Sequence, residues 1–306
     1  MIRLGLCCIF HSAPITFRRT TAAHLRMKPR RDQLRLLAEI ALHNAGSLQA
    51  ALNYCRDHRI GAFRINSRIL PLKTHPEAGY AIEQLPDSKR IVEAFKNCGR
   101  FARRHGIRTS FHPDQFVVLN SPDPGVVARS VAELRYQAEV ARWVNADVIT
   151  LHAGGAYGDK AAALQRLGSV IRRLPHAVRS RLTLENDDVR FTPRDLLPIC
   201  RSLGVPLVYD VHHHRCLPDG LSIEAATDLA FASWPREPLF HISSARTGTG
   251  NRRLHHDYID ASDFPLHWCD LEITVDVEAK AKELAVLALA RELEICPPAH
   301  TAVAVS

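Results

Sequence analysis

The chain has 306 residues and a formal net charge of +8, so it is long enough for one large α/β barrel or for two smaller domains. Its eight cysteines include no C-x-x-C pair, which argues against a thiolate zinc site and favours reduced thiols in the cytoplasm. The first residues predict a strand rather than a signal peptide, and no later apolar run is long enough to cross a membrane.

Apolar runs and helical patterns alternate along the chain. Apolar runs predict eight strands, at residues 2–6, 60–65, 107–111, 147–151, 181–184, 205–209, 239–242 and 273–277. Helical spacing of apolar residues predicts helices at 32–59, 87–105, 125–144, 159–174, 192–203, 222–232 and 279–293. Such alternation indicates parallel strands, and eight units close a (β/α)8 TIM barrel. We therefore expect one catalytic barrel domain over residues 1–295 and an unstructured tail over 296–306.

The sixth predicted strand runs into a polar sequence. Asp210 ends the strand, and His212, His213 and His214 follow on what we predict to be a loop. Carboxylate and imidazole groups are ligands that Zn²⁺ and Mn²⁺ accept. The ordinary alternative is a polar loop in which the histidines are solvated or cap a helix, so the motif gains weight only if other strand ends carry similar residues.

Other strand ends do carry such residues. Active sites in this barrel lie at the carboxyl ends of the strands. The residues expected there are His112, His152, Glu185, Asp210 with His213, His241 and Glu278. Each alone could be a structural histidine or a salt-bridge partner. Together they concentrate buried charge, which is costly unless divalent cations neutralise it. Because these ligands exceed the needs of one ion, we expect a metal cluster bridged by Glu185.

The positive net charge favours a polyanionic partner, because Lys and Arg displace counterions from a phosphate backbone. A basic enzyme without such a partner is the alternative. The segment 11–31 contributes many of these cations, and we interpret it as a solvated loop or as a loop that lines a groove. Metal ions about 4 Å apart can clamp the oxygens of a phosphodiester. Metal ligands and basic charge together favour phosphodiester chemistry.

Several contiguous blocks resemble the UV damage endonucleases, relatives of endonuclease IV among the xylose-isomerase-like barrels. The blocks are FRINS at 63–67, HPDQF at 112–116, LHAGGAYGDK at 151–160, LENDD at 184–188, DVHHH at 210–214, HIS at 241–243 and HHDYI at 255–259. The resemblance implies an endonuclease that incises damaged double-stranded DNA on the 5′ side of UV photoproducts or other lesions. We expect it to act as a monomer.

The resemblance also implies a site of up to three divalent ions, usually Mn²⁺, with Zn²⁺, Co²⁺ or Mg²⁺ as alternatives. The implied ligands are His112, His152 and Glu185 for one ion, Glu185, Asp210, His241 and Glu278 for a second, and His213 and His255 for a third. Glu185 and His241 would take part in catalysis. His75 would lie near the cluster as a further catalytic candidate.

The resemblance assigns a DNA-binding role to Gln115 and Phe116, a pair that would be pushed into the duplex at the lesion. A side chain wedged between bases exploits the weaker stacking of damaged DNA. The alternative for Phe116 is a core position, because three apolar residues follow it.

Two positions depart from the pattern of that family. A lysine that contributes a modified, carboxylate-bearing side chain usually stands two residues before the strand-seven histidine, where this chain has Leu239. A tyrosine usually follows Leu-Gly in strand one, where this chain has Leu6. Both changes leave the ligands in place but remove two neighbours of the cluster.

Three functions are consistent with these residues. The first is the metal-dependent DNA repair endonuclease. The second is a sugar isomerase or epimerase of the same barrel group, which would use fewer ions and a closed pocket. The third is a DNA-binding homologue whose catalysis is altered by Leu6 and Leu239.

Overall fold

A computed structural model describes residues 2–248 and 250–294 of the chain. The strands are β1 (Ile2–Cys7), β2 (Ala62–Ile65), β3 (Arg108–Phe111), β4 (Val148–His152), β5 (Leu182–Glu185), β6 (Leu207–Val208), β7 (Leu239–Ile242) and β8 (Ile273–Val277). The helices are α1 (Ala22–Arg26), α2 (Arg30–Asp57), α3 (Ser88–Arg104), α4 (Pro124–Val144), α5 (Lys160–Arg173), α6 (His176–Arg179), α7 (Pro193–Leu203), α8 (Val211–Cys216), α9 (Ile223–Phe231) and α10 (Glu283–Glu294). The tail predicted at 296–306 lies outside the described residues.

The eight strands form one parallel sheet in the order β6-β5-β4-β3-β2-β1-β8-β7. A parallel bridge between Asp210 and His241 joins the two outer strands, and the backbone N–H of His241 donates to the carbonyl of Tyr209 at 3.0 Å. These contacts close the sheet into a barrel. The predicted (β/α)8 barrel is confirmed, and its strands bring their carboxyl ends to one rim.

Local sequence explains where the helices begin. Asp123 caps α4 by accepting a hydrogen bond from the N–H of Gly125, and Pro124 occupies the first turn. Thr192 and Asp195 form a capping box at the start of α7.

The predicted bounds of most elements differ from the observed ones by one or two residues. The closing helix α10 is an exception, because it begins at Glu283 rather than at residue 279.

The basic segment 11–31 is not the simple loop that the charge pattern predicts. Residues 22–26 form α1, and α2 already begins at Arg30. The buried carboxylate of Glu283 accepts hydrogen bonds from the backbone N–H groups of His11 and Ser12 at 2.6 Å and of Ala13 at 3.0 Å. Part of the segment is therefore anchored to the first residue of α10.

The buried apolar side chains form two clusters. The main core lies between the strands and the surrounding helices and includes Leu6. A smaller cluster contains Leu239, Val148, Val208 and Trp234. Leu239, where the resemblance implies a modified lysine, is thus packed in an apolar environment. Within the described residues, no helix combines the length and the apolar character that crossing a bilayer requires.

Candidate metal centre

Glu185, the last residue of β5, is the centre of the rim. Its carboxylate is fully buried. Oε2 lies 2.7 Å from Nε2 of His112 and 3.7 Å from Nε2 of His152. Oε1 lies 3.0 Å from Nδ1 of His241 and 3.5 Å from Nδ1 of His213. Each oxygen thus faces two imidazoles from different elements of the barrel, as expected of a bridging ligand.

The residues after β6 form a helix rather than the predicted loop. Asp210 caps α8 by accepting a hydrogen bond from the N–H of His213 through Oδ1 at 2.8 Å. The cap leaves Oδ2 of Asp210 buried without a hydrogen-bond partner among the described residues. The prediction of a loop was wrong because an aspartate that ends a strand also starts a helix well.

The helical turn separates the three consecutive histidines. His213 points to the rim, where Nδ1 lies 3.5 Å from Oδ2 of Asp210 and 2.9 Å from the carbonyl oxygen of Asn186. His214 is buried elsewhere, between the hydroxyl of Tyr209 at 2.7 Å and the carboxylate of Asp219 at 3.0 Å. Of the two, only His213 contacts the acidic residues of the rim.

Glu278 follows β8 and completes the rim. Its Oε1 lies 3.4 Å from Nδ1 of His241 and accepts a hydrogen bond from Nη2 of Arg64 at 2.6 Å. Its Oε2 lies 3.8 Å from Nδ1 of His255. The His255 and His213 rings are 6.4 Å apart, centre to centre. The structure thus brings His255 beside Glu278 and His213, on one side of the cluster.

In the part of the chain that the structure describes, three sets of residues offer ligand atoms within 4.8 Å of one another. The sets are His112, His152 and Glu185; Glu185, Asp210 and His213; and Glu185, His241 and Glu278. Glu185 belongs to all three. Imidazole nitrogen and carboxylate oxygen are a donor set that Mn²⁺, Zn²⁺ and Co²⁺ accept. The unpartnered Oδ2 of Asp210 is a further sign that these residues fit divalent ions.

The electrostatics of the site agree with such a fit. Burial alone would raise the pKa of Glu185, but the imidazoles of His152, His241 and His112 hold that pKa well below its usual range. Burial lowers the pKa of His152 to about 4. His152 is therefore neutral at pH 7, and neutral imidazole is the form that coordinates metal.

The pKa of His213 shifts in the opposite direction to that of His152, because the charges of two neighbouring carboxylates have a larger effect than burial. Burial works against its protonation, but the carboxylates of Asp210 and Glu185 raise its pKa to about 9. The carboxylates of Asp210 and Glu185 thus favour positive charge beside them. A proton on the imidazole of His213 supplies this charge, and a divalent ion bound by the neutral imidazole would replace that proton.

The loop after β3 carries the predicted DNA-contacting pair. Gln115 is exposed, and the side chain of Phe116 is 74% exposed, whereas Val117 next to it is buried. The core position considered for Phe116 is therefore excluded. Phe116 lines a groove of about 720 Å³ that also contains the cations Arg19, Arg68, Lys73 and Arg129.

His75 lies in this groove rather than in the cluster. Its Nδ1 accepts hydrogen bonds at 3.2 Å from the backbone N–H groups of Glu77 and Ala78. Among the described residues, none of the three ligand sets includes it. Its catalytic role stays a prediction.

Two buried residues beside the cluster were missed in the sequence. Arg64 is the residue before the last one of β2, and its guanidinium lies 3.4 Å from Asp276 and 2.6 Å from Glu278. Asp276 lies inside β8 and is fully buried. The available signal was an acid within the apolar run ITVDV, because charge in a buried strand requires a partner.

The fold and the site define a (β/α)8 barrel with a candidate centre for several divalent ions at the carboxyl ends of its strands. A family model described as UV-endonuclease UvdE matches residues 2–304. The chain therefore belongs to the UV-endonuclease UvdE family, as its sequence blocks predicted.

Individual relatives agree with this assignment. A protein of Bacillus velezensis named UV DNA damage endonuclease is 32% identical over 303 residues, which cover 94% of this chain and 91% of the relative. The solved structure of SacUVDE matches with a TM-score of 0.87 at 27% identity and covers 97% of this chain and 99% of its own.

More distant structures share the barrel. Endonuclease IV from Thermus thermophilus matches with a TM-score of 0.61 at 16% identity, over 96% of this chain and 98% of its own. D-psicose 3-epimerase from Clostridium cellulolyticum matches with a TM-score of 0.58 at 13% identity, over 96% and 97% respectively. At these identities the likeness shows a common fold only, so it favours neither chemistry.

Proposed function

We propose that this chain is a metal-dependent DNA repair endonuclease that nicks the backbone on the 5′ side of UV photoproducts and other lesions. The observation that carries the proposal is the position of Glu185, whose two oxygens each face two imidazoles at 2.7 to 3.7 Å. Family membership and a net charge of +8 support the same function.

The proposed ions are Mn²⁺, up to three in number, with Zn²⁺, Co²⁺ or Mg²⁺ as alternatives. Their proposed ligands are His112, His152, Glu185, Asp210, His213, His241, His255 and Glu278. Divalent ions bound there would stabilise charge on the phosphate oxygens and lower the pKa of an attacking water. Because Glu185 belongs to all three ligand sets, it would fix the distance between neighbouring metal sites. His241 and His75 remain the proposed catalytic histidines.

The proposed partner is damaged double-stranded DNA bound by a monomer. Phe116 and Gln115 are exposed on the loop after β3 and would enter the duplex where stacking is weakened. The cations of the adjacent groove would follow the phosphate backbone. We also propose that residues 1–295 act as one domain in the cytoplasm, where cysteine thiols stay reduced.

A nicking assay tests the proposal. The chain with Mn²⁺ should incise a UV-irradiated duplex more than the same duplex without irradiation, and end mapping should place the nick 5′ to the lesion. Glu185→Gln should reduce the incision rate by about a thousandfold or more, because electrostatic stabilisation at one donor is already worth about 10²–10³. Glu93→Gln on the exposed face of α3 is the matched control and should be unchanged. Equal nicking by wild type and Glu185→Gln would contradict the proposal.

Two further measurements separate the alternatives. A purified chain without stoichiometric transition metal would favour an altered DNA-binding homologue. Turnover of a ketose or an aldose, without incision of DNA, would favour the isomerase or epimerase.

A further inference from the structure

Asp276 occupies a buried position under the candidate metal centre. In the register of the barrel it pairs with His241 on β7 and with Gly5 on β1. A Cβ atom at position 5 would lie 2.1 Å from Oδ1 of Asp276, so a glycine there leaves room for the carboxylate. Asp276 is fully buried, and neither of its oxygens accepts a hydrogen bond from the described part of the chain.

Two donors face this carboxylate without hydrogen bonds of their own. Oδ2 of Asp276 lies 3.8 Å from Nε2 of His241 and 3.4 Å from Nε of Arg64. Neither of these nitrogens has another hydrogen-bond partner among the residues described. A buried polar atom without a hydrogen bond is energetically costly. A small shortening of these two distances would let Oδ2 of Asp276 accept hydrogen bonds from both nitrogens.

The two nitrogens of His241 have different surroundings. Nδ1 faces the acidic cluster, 3.0 Å from Glu185 and 3.4 Å from Glu278. Nε2 faces Asp276. A histidine that binds a metal through one nitrogen carries its proton on the other, and an acceptor for that proton fixes both tautomer and ring plane.

We propose that Asp276 is a positioning residue, which accepts a hydrogen bond from Nε2–H of His241 and so directs Nδ1 of that histidine towards a divalent ion. This inference rests on the metal centre of the proposed function. It assigns Asp276 an effect that acts through His241 and involves no contact with substrate.

The competing explanation is that Asp276 serves only as a counter-ion for Arg64. Arg64 also donates to Glu278 at 2.6 Å, so it keeps one carboxylate when Asp276 is replaced. A counter-ion role predicts altered stability without a change in how the ion is coordinated. The orientation role predicts a change in metal affinity and in the ligand field of the bound ion.

The experiment is a titration of the full chain with Co²⁺ alone, followed by visible absorption, together with the thermal midpoint of the metal-free protein. Asp276→Leu removes the acceptor and should weaken Co²⁺ binding by about 10- to 100-fold and alter the spectrum, as expected for loss of an outer-shell partner. Asp276→Asn keeps an acceptor oxygen and should lose less affinity than the leucine variant. Asp228→Asn, an exposed change on α9, should match wild type.

The outcomes are distinguishable. Wild-type affinity and an unchanged spectrum in Asp276→Leu would overturn the inference, as would equal losses in both variants in parallel with a lower thermal midpoint. Should the leucine variant fail to fold, Asp276→Asn decides: reduced affinity with an altered spectrum supports the inference, and wild-type behaviour overturns it. If wild type itself binds no Co²⁺, the result contradicts the proposed metal centre, and the inference about Asp276, which depends on that centre, is contradicted as well.

Discussion

Asp210 and His241 form the bridge that joins β6 to β7 and closes the barrel. Both side chains also point to the carboxylate cluster, where His241 lies 3.0 Å from Glu185 and Asp210 belongs to a ligand set with Glu185. The seam of the barrel is thus built from candidate metal ligands. β6 contributes only two residues to the sheet, so little backbone pairing holds this seam.

Metal binding should therefore stabilise the fold as well as create the site. We expect Mn²⁺ to raise the free energy of unfolding by about 2.7 kcal/mol at a concentration one hundred times its dissociation constant. Urea unfolding with Mn²⁺ and with a chelator measures the effect. Glu185→Gln should lose most of the stabilisation, whereas Glu93→Gln should keep it. The same unfolding curve with and without Mn²⁺ would show that Mn²⁺ does not bind the folded protein at the contact between β6 and β7.

Arg64 should be more important for stability than its position at a strand end indicates. Its guanidinium contacts Glu278 at 2.6 Å and Asp276 at 3.4 Å, and all three groups are largely buried. Removing the guanidinium leaves buried carboxylate charge without a counter-ion. Arg64→Met should therefore lower the free energy of unfolding of the metal-free protein by about 3–5 kcal/mol. Chemical unfolding measures the change.

Arg100→Met provides the matched control for Arg64. Arg100 pairs with Glu93 at 2.6 Å on the exposed face of α3, and exposed pairs contribute about 0–1 kcal/mol. If Arg64→Met lowers the free energy of unfolding no more than Arg100→Met does, groups other than Arg64 neutralise the charge of the buried carboxylates.

The architecture could be predicted from sequence because it depends on local signals that repeat. Apolar runs and capping residues such as Thr192 mark each unit, and the eight units leave few ways to pair parallel strands. The position of Glu185 at a strand end followed from the same periodicity. The start of α10 was misjudged, because the helical pattern extends back over residues 279–282, where Lys282 adopts positive φ (53°).

The finer geometry of the site required the register of the strands. Three consecutive histidines look equivalent in sequence, but the turns of α8 direct His213 to the rim and His214 to Tyr209. Asp276 was overlooked because only the pairing of β7 with β8 places it opposite His241. These relationships join residues distant along the chain, and no local pattern encodes them.

Phe116 should contribute to lesion incision but not to folding. Its side chain is 74% exposed, so Phe116→Ala should change the free energy of unfolding by less than about 0.5 kcal/mol. Loss of stacking on bases is worth about 1–3 kcal/mol, so binding to an irradiated duplex should weaken by about tenfold. Binding and incision assays on irradiated and intact duplexes measure the change. Leu266→Ala, at a side chain 77% exposed before β8, is the control. Unchanged discrimination between the duplexes would remove Phe116 from lesion recognition.

Asp147 should make the stability of the barrel depend on pH at the end opposite the candidate centre. Its carboxylate accepts hydrogen bonds at 3.0 Å from Arg108 and from Arg236. Burial alone would raise the pKa of Asp147, but the two guanidinium groups hold it below its ordinary value of 3.8. A pKa that is lower in the folded state gives stability that is present above the ordinary pKa and is lost as pH falls through the folded value.

Asp147→Asn tests this linkage through urea unfolding at a series of pH values. At pH 7 the variant should be less stable than wild type by on the order of 1 kcal/mol, because the carboxylate is partly exposed and its ion pairs are screened by solvent. The difference should shrink as the pH falls below about 4, where wild type also begins to lose the charge. Asp270→Asn, at an exposed position, should follow wild type throughout. A deficit that stays constant from pH 7 into the acid range would assign the loss to packing rather than to the charge of Asp147.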